Sequence, residues 1–453
     1  MLKLKEICLR RIAAILYVQP DILISQDEFD FQVFLVEEKM SKLKLPPLIT
    51  KQMKSLVRPI GSEIRNWIFF LSKYFHTSYG SVCDMRILEQ LCWTILGTVD
   101  YRKTAERLIH LDMLDFVERY RLACLYCLDE YISVLWFLVP EENKKYFYKE
   151  EGPLEKLEFF WPYILKGEGI KLDNFNQYAF EYSASKGNKA ATEYFFRKLT
   201  YNEREYSLLK TTQALLMQRR NNSGFFYISK DDDDDFPKET LSDTFCYLLS
   251  LMSPEQQMEI FKRQPYDVLL HLLDWPWQDI FLDIAELISN FLTADNYFYL
   301  LRNISMKIKS GYCLTKVFQN FFLRSPSDFR KHFVDKECQF DFFFRDFFEL
   351  QDTESIKVIF RNVDPGDRKR LVFSKSAFKF FYDSILSGKC NLVELCLQEA
   401  TLSKEDKDRL KEVFHEFVTQ MEKSLLRMRG TEIDTENINS RENIWKQFFT
   451  FLD

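Results

Sequence analysis

"ASKGNKAATEYFFRKLTYNEREYSLL" (Ala184–Leu209) aligns without a gap to "ILSGKCNLVELCLQEATLSKEDKDRL" (Ile385–Leu410). Identities are few: Gly187 with Gly388, Glu193 with Glu394, Thr200 with Thr401 and Leu209 with Leu410. The shared pattern says more. Each stretch reads as the end of a helix, a glycine turn, an apolar helix, a polar turn and a further helix. The last part recurs as "LVPEENKKYF", "LMSPEQQMEIF", "FLTADNYFYLL", "LRSPSDFRKHF" and "VDPGDRKRLVF". Aligned on Leu199, the recurrences give Val139, Leu251, Leu292, Leu323, Val363 and Ala400, spaced 31 to 60 residues apart. This is the mark of helix pairs in series, because one pair cannot cover its own apolar face and a neighbour must do so.

Composition agrees with helices. Only 12 of 453 residues are glycine, well under the ~7% of average usage. Turn-rich β folds and phosphate-cradling loops need more glycine than that. Long helical periods run through "RYRLACLYCLDEYISVLWFLVP" (119–140), "FEYSASKGNKAATEYFFRKL" and "WQDIFLDIAELISNFL", punctuated by Pro140, Pro254, Pro326 and Pro365. The fold class expected is all-α, a helical-repeat array. The run Asp231–Asp235 repels itself and reads as part of an exposed acidic loop over 219–239. No apolar run approaches the ~20 residues that cross a bilayer, so no membrane role is expected. Net charge is −6, which offers nothing to nucleic acid. Ten scattered cysteines read as reduced thiols, which makes an intracellular, cytoplasmic location the expectation.

No residues nominate a chemistry. His76, His110, His271, His332 and His415 stand far apart. Cys124 and Cys127 lie in an apolar helical run with no second pair, so core packing is expected rather than zinc. The "GEG" at 167–169 is not extended to a dinucleotide fingerprint. No catalytic residue, metal or cofactor is expected. "CQFDFFFRDFFEL" (338–350) places Phe340, Phe343, Phe344, Phe347 and Phe348 on one wide stripe, read as core between helix pairs or as a peptide-binding patch.

"FEYSASKGNKAATEYFFRKL" resembles a degenerate ankyrin repeat: first helix, turn glycine, second helix. At the N-terminus, "LKEICLRRI" places Leu4, Cys8 and Ile12 four residues apart, with charges between them. "SKLKLPPLITKQM" places Leu43, Leu45, Pro46, Ile49 and Met53 in a Leu-Pro pattern. Together the two resemble the halves of a suppressor-of-cytokine-signalling (SOCS) box. The resemblance implies that Leu4, Cys8 and Ile12 enter a groove on the elongin B/C adaptor, and that the Leu-Pro segment helps select a cullin. "LEQLCWTIL" (88–96) and "LVELCLQEA" (392–400) carry the same Leu-Cys-apolar spacing, so a core helix can produce it too.

The organisation expected is a SOCS-box-like helical segment or cap over 1–60, then a connector over 61–118. Ankyrin-like repeats follow over 119–218 and 240–420, on either side of the acidic loop, with a weakly ordered tail over 421–453. The function expected is a protein-interaction scaffold with partners on its repeat surface, in the narrower form a substrate receptor of an elongin–cullin ubiquitin ligase. A purely structural helical protein, or an enzyme with a dispersed site, fits the same residues.

Overall fold

The computed structural model describes residues 4–23, 29–74, 85–112, 114–148, 156–167, 174–221, 240–340, 343, 346–347, 350, 352–429 and 444–452. Among these the chain is all-helical, and its one β feature is an isolated bridge between Trp93 and Val99. Helices of eight residues or more are numbered in chain order. They are α1 (Leu4–Tyr17), α2 (Phe29–Lys42), α3 (Pro47–Tyr74), α4 (Tyr101–Leu108), α5 (Phe116–Leu125), α6 (Asp129–Leu138) and α7 (Phe175–Ser185). Next come α8 (Lys189–Lys198), α9 (Tyr201–Asn221), α10 (Thr240–Leu251), α11 (Pro254–Arg263), α12 (Pro265–Leu272) and α13 (Gln278–Ile288). The rest are α14 (Ala294–Lys309), α15 (Thr315–Arg324), α16 (Ser327–Phe340), α17 (Thr353–Arg361), α18 (Pro365–Val372), α19 (Lys375–Leu386), α20 (Cys390–Ala400) and α21 (Lys404–Arg429). Two compact units divide the chain, Met1–Ile280 and Phe281–Asp453.

One turn builds several of the hairpins. Gly187, Gly311 and Gly388 adopt positive φ, and the amide after each bonds back five residues: Asn188 to Ser183 O, Tyr312 to Lys307 O and Lys389 to Ser384 O. This closure covers the orphan carbonyls of the preceding helix, and its left-handed residue is the reason for glycine. Between α5 and α6 the same turn occurs without glycine. Cys127 sits at φ +51° and Leu128 N bonds Ala123 O at 2.9 Å. The stretch of helical periodicity over 119–140 is therefore two helices, α5 and α6.

A second device closes the other end of the pair. The fourth residue of the next helix reaches back to carbonyls at the end of the preceding segment. Arg204 Nε and Nη2 donate to Phe196 O and Arg197 O, and Arg368 does so to Val363 O and Arg361 O. Gln257 reaches Leu249 O and Met252 O, and Arg119 reaches Leu114 O. A cation suits the negative end of a helix. Arg204→Ala and Arg368→Ala should each lower stability by about 1 kcal/mol, read from denaturant midpoints.

In the Phe281–Asp453 unit, α15 packs on α17 and α17 on α20, while α16 packs on α18. Polar links join the layers at near-constant separation: Glu286 to Arg324 (38 residues), Asp295 to His332 (37), Asp335 to Arg370 (35) and Arg361 to Glu399 (38). Phe343 and Phe347 are buried against Phe318, so for these two the core reading of the aromatic stripe holds. Nothing is described for the side chains of Phe340, Phe344 and Phe348.

α3 runs unbroken through residue 60, and α5 through 118. "LEQLCWTIL" is not a helix: it leaves its helix at Glu89, and Trp93 bridges Val99. The end of the expected tail is packed, because Ile444, Phe448 and Leu452 are buried and Phe448 lies against Phe381 and Phe414. The Asp231–Asp235 run lies outside the described residues.

Candidate partner-docking surface

α1 has two apolar faces. Leu9, Ala13, Ala14, Leu16 and Tyr17 are buried, and this face packs on α3. Leu4 (77% exposed), Cys8, Ile12 and Ile15 (53%) lie on the other side, within about 80° of one another on a helical wheel. So the stripe singled out by its four-residue spacing faces solvent. The core is made by a different set.

Two contacts decide this orientation. Tyr17 lies across Gly61 of α3, where a Cβ would stand 2.2 Å from the phenol oxygen. Arg10, one of the charges between the stripe residues, is only 7% exposed. Its Nη1 donates to Leu96 O at 2.5 Å, and its guanidinium lies 4.6 Å from the centre of the Trp275 ring. Burial lowers the Arg10 pKa, which Asp279, 3.9 Å away, opposes. Gly97, at φ +77°, lies against the Arg10 stem, and Trp275 Nε1 donates to Gly97 O at 3.3 Å. α1 is thereby clamped along one side with its opposite stripe uncovered.

The Leu-Pro segment forms the corner between α2 and α3. Lys44 takes a left-handed conformation (φ 50°), and Pro47 starts α3, where a proline needs no amide partner. Leu43 and Pro46 are exposed, Leu45 and Ile49 half-buried, and Leu48, which the pattern did not single out, is exposed. Met53 is the exception. It is fully buried and has no surface to give a partner, so the structure moves it from the contact set to the core. Its place one turn beyond Ile49 carries it onto the inner face of α3.

A cysteine on such a stripe provides a direct check. Cys8 and Cys313 are exposed, whereas Cys124, Cys127 and Cys396 are buried and burial pushes their thiols up. Native protein should label with a thiol reagent at Cys8 and Cys313 at once, and at these three only on unfolding, as peptide mapping would show.

One buried polar cluster lies apart from this surface. Ser242 Oγ donates to Asp274 Oδ2 at 2.7 Å and lies 2.9 Å from His271 Nδ1, all three buried. With its O–H directed to the Asp274 carboxylate, the serine does not present that proton to the imidazole, which a Ser–His nucleophile pair requires. Among the described residues no group of three His, Cys, Asp or Glu could hold a metal, and no helix is long and apolar enough to cross a membrane. No model of a known protein family matches this chain, and no curated protein sequence is significantly similar to it.

Proposed function

We propose that this chain is a protein-interaction protein whose helix pairs form a degenerate, ankyrin-like array and whose α1 docks an adaptor of the elongin B/C type. The observation that carries the reading is the uncovered stripe Leu4, Cys8, Ile12 on a helix held firmly by its other face. A few apolar anchors on one helical stripe, flanked by exposed Lys5 and Arg11, suit a helix-in-groove contact. The corner Leu43, Leu45, Pro46 and Ile49 contributes to a cullin contact, with Met53 supporting it from the core. The remaining surface of the helix pairs selects the target, and the chain itself carries out no chemistry.

The test is capture of purified elongin B/C by the full-length chain. Wild-type protein should retain the adaptor, and a Leu4→Arg, Cys8→Arg double variant should weaken retention at least ~100-fold, since charges would enter an apolar groove. Both positions are exposed, so circular dichroism should stay unchanged. Leu45→Ala with Pro46→Ala should spare elongin capture and reduce cullin recruitment. Failure of folded wild-type protein to retain elongin B/C would remove the adaptor reading.

A further inference from the structure

Within the Met1–Ile280 unit, the first turns of α4, α8 and α10 converge on a cleft of about 350 Å³. That lies within the ~300–1,000 Å³ typical of ligand sites. Its charges are layered. Arg102, Lys103 and Lys189 stand at exposed positions, while Asp100, Glu193 and Asp243 are half-buried and form the inner wall.

The carboxylates are not equally available. Asp100 caps Lys103 N at 3.1 Å and pairs with Lys103 Nζ at 3.0 Å. Glu193 has Arg197 at 4.0 Å. Asp243 accepts one hydrogen bond at Oδ1, from Trp277 Nε1 at 2.8 Å, and its Oδ2 takes none among the described residues. Burial raises the Asp243 pKa, the Trp277 bond and Lys189 oppose this, and nearby Asp274 adds to it. The inner wall is thus an under-compensated carboxylate beside an indole. An incoming anion would meet acids there; at the rim, Lys103 is already held by Asp100, and Lys189 acts on Asp243 from an exposed position.

We propose that this cleft receives an arginine side chain of a protein partner, its guanidinium paired to Asp243 Oδ2 and laid against the Trp277 ring. A planar fork can bond a carboxylate and stack on an indole together, which an ammonium cannot. The inference rests on reading the chain as a protein-binding protein, and it gives that reading one specific contact.

The experiment labels the full-length chain with 5-fluorotryptophan and assigns the Trp277 fluorine resonance by its loss in Trp277→Phe. N-acetyl-L-argininamide should then shift that resonance saturably, with a midpoint of about 1–10 mM, reasonable for a single side chain. The lysine analogue should bind about threefold or more weakly, for want of the fork. Asp243→Asn, which keeps an acceptor for Trp277, should weaken binding about tenfold. Lys189→Ala should strengthen it by removing a competing cation, and circular dichroism will show that both variants fold. The proposal is overturned if no saturation is reached by about 100 mM. An unaltered response in Asp243→Asn overturns it as well, as does a tighter response to inorganic phosphate or AMP, which would make this an anion site. Elongin B/C capture by the same labelled protein reads the α1 surface separately, so either reading can fail alone.

Discussion

Gly61→Ala is expected to destabilise the N-terminal helices by about 2–3 kcal/mol, a large effect for one methyl group. Alanine ordinarily favours a helix over glycine by roughly 1 kcal/mol, so the sign itself is diagnostic. The reversal comes from Tyr17, whose ring lies where the new Cβ must go: 2.2 Å from the phenol oxygen and 2.3 Å from Cζ. Tyr17 is buried, so its ring cannot swing away without opening the α1–α3 contact. The variant should lower the denaturant midpoint followed by far-ultraviolet circular dichroism, and under the proposed α1 docking it should also weaken elongin capture, because α1 would no longer be held. Gly366→Ala is the internal control, since nothing lies within 4 Å of the added methyl, and it should be neutral or slightly stabilising. Combining Gly61→Ala with Tyr17→Leu should cost less than the two effects added, by about 1 kcal/mol or more. An additive result would mean that this close approach does not govern the packing.

The second large effect lies in the Phe281–Asp453 unit. Asp346→Ala is expected to cost about 3 kcal/mol, because it removes a buried carboxylate that accepts three hydrogen bonds, two of them from cations. Asp346 is buried and accepts from Arg302 Nη1 at 3.1 Å, Ser305 Oγ at 3.2 Å and Lys309 Nζ at 3.1 Å. Arg302 is the main contributor, since Lys309 reaches solvent and its share is discounted for screening. The bonds tie Asp346, between buried Phe343 and Phe347, to α14. Amide hydrogen exchange should therefore quicken across 294–309. Asp295→Asn provides the contrast. Its carboxyl is held below the usual range by hydrogen bonds from His332 and Lys336, but it is exposed, and little should follow.

Much of the local architecture is legible in the residues. Gly187 and Gly388 mark their turns because only a residue without Cβ takes a left-handed backbone cheaply. The polar-turn recurrences mark helix starts: Ser253 with Gln256, and Thr293 with Asn296, form reciprocal caps. Cys127 was opaque for the converse reason. It holds the same left-handed conformation at a buried site, where surrounding packing overrides an intrinsic preference, and the acidic pair Asp129–Glu130 in the first turn of α6 is the local mark of the break. The tail was opaque because ten residues of "IWKQFFTFLD" do not show that Phe448 has Phe381 and Phe414 waiting for it.

The candidate surface divides the same way. Spacing alone placed Leu4, Cys8 and Ile12 on one stripe of a helix, since helical period maps position onto face. It could not choose which face is covered, because Leu9, Ala13, Leu16 and Tyr17 make an equally credible core. Tertiary structure chose through groups far off in the chain: the gap at Gly61, the carbonyl of Leu96 and the ring of Trp275. The same distance effect sent Met53 inward while Leu43 and Pro46 stayed out, and gathered Asp243, Trp277 and Lys189 around one cleft. Periodicity is a property of neighbours along the helix, whereas burial depends on shapes brought together from elsewhere.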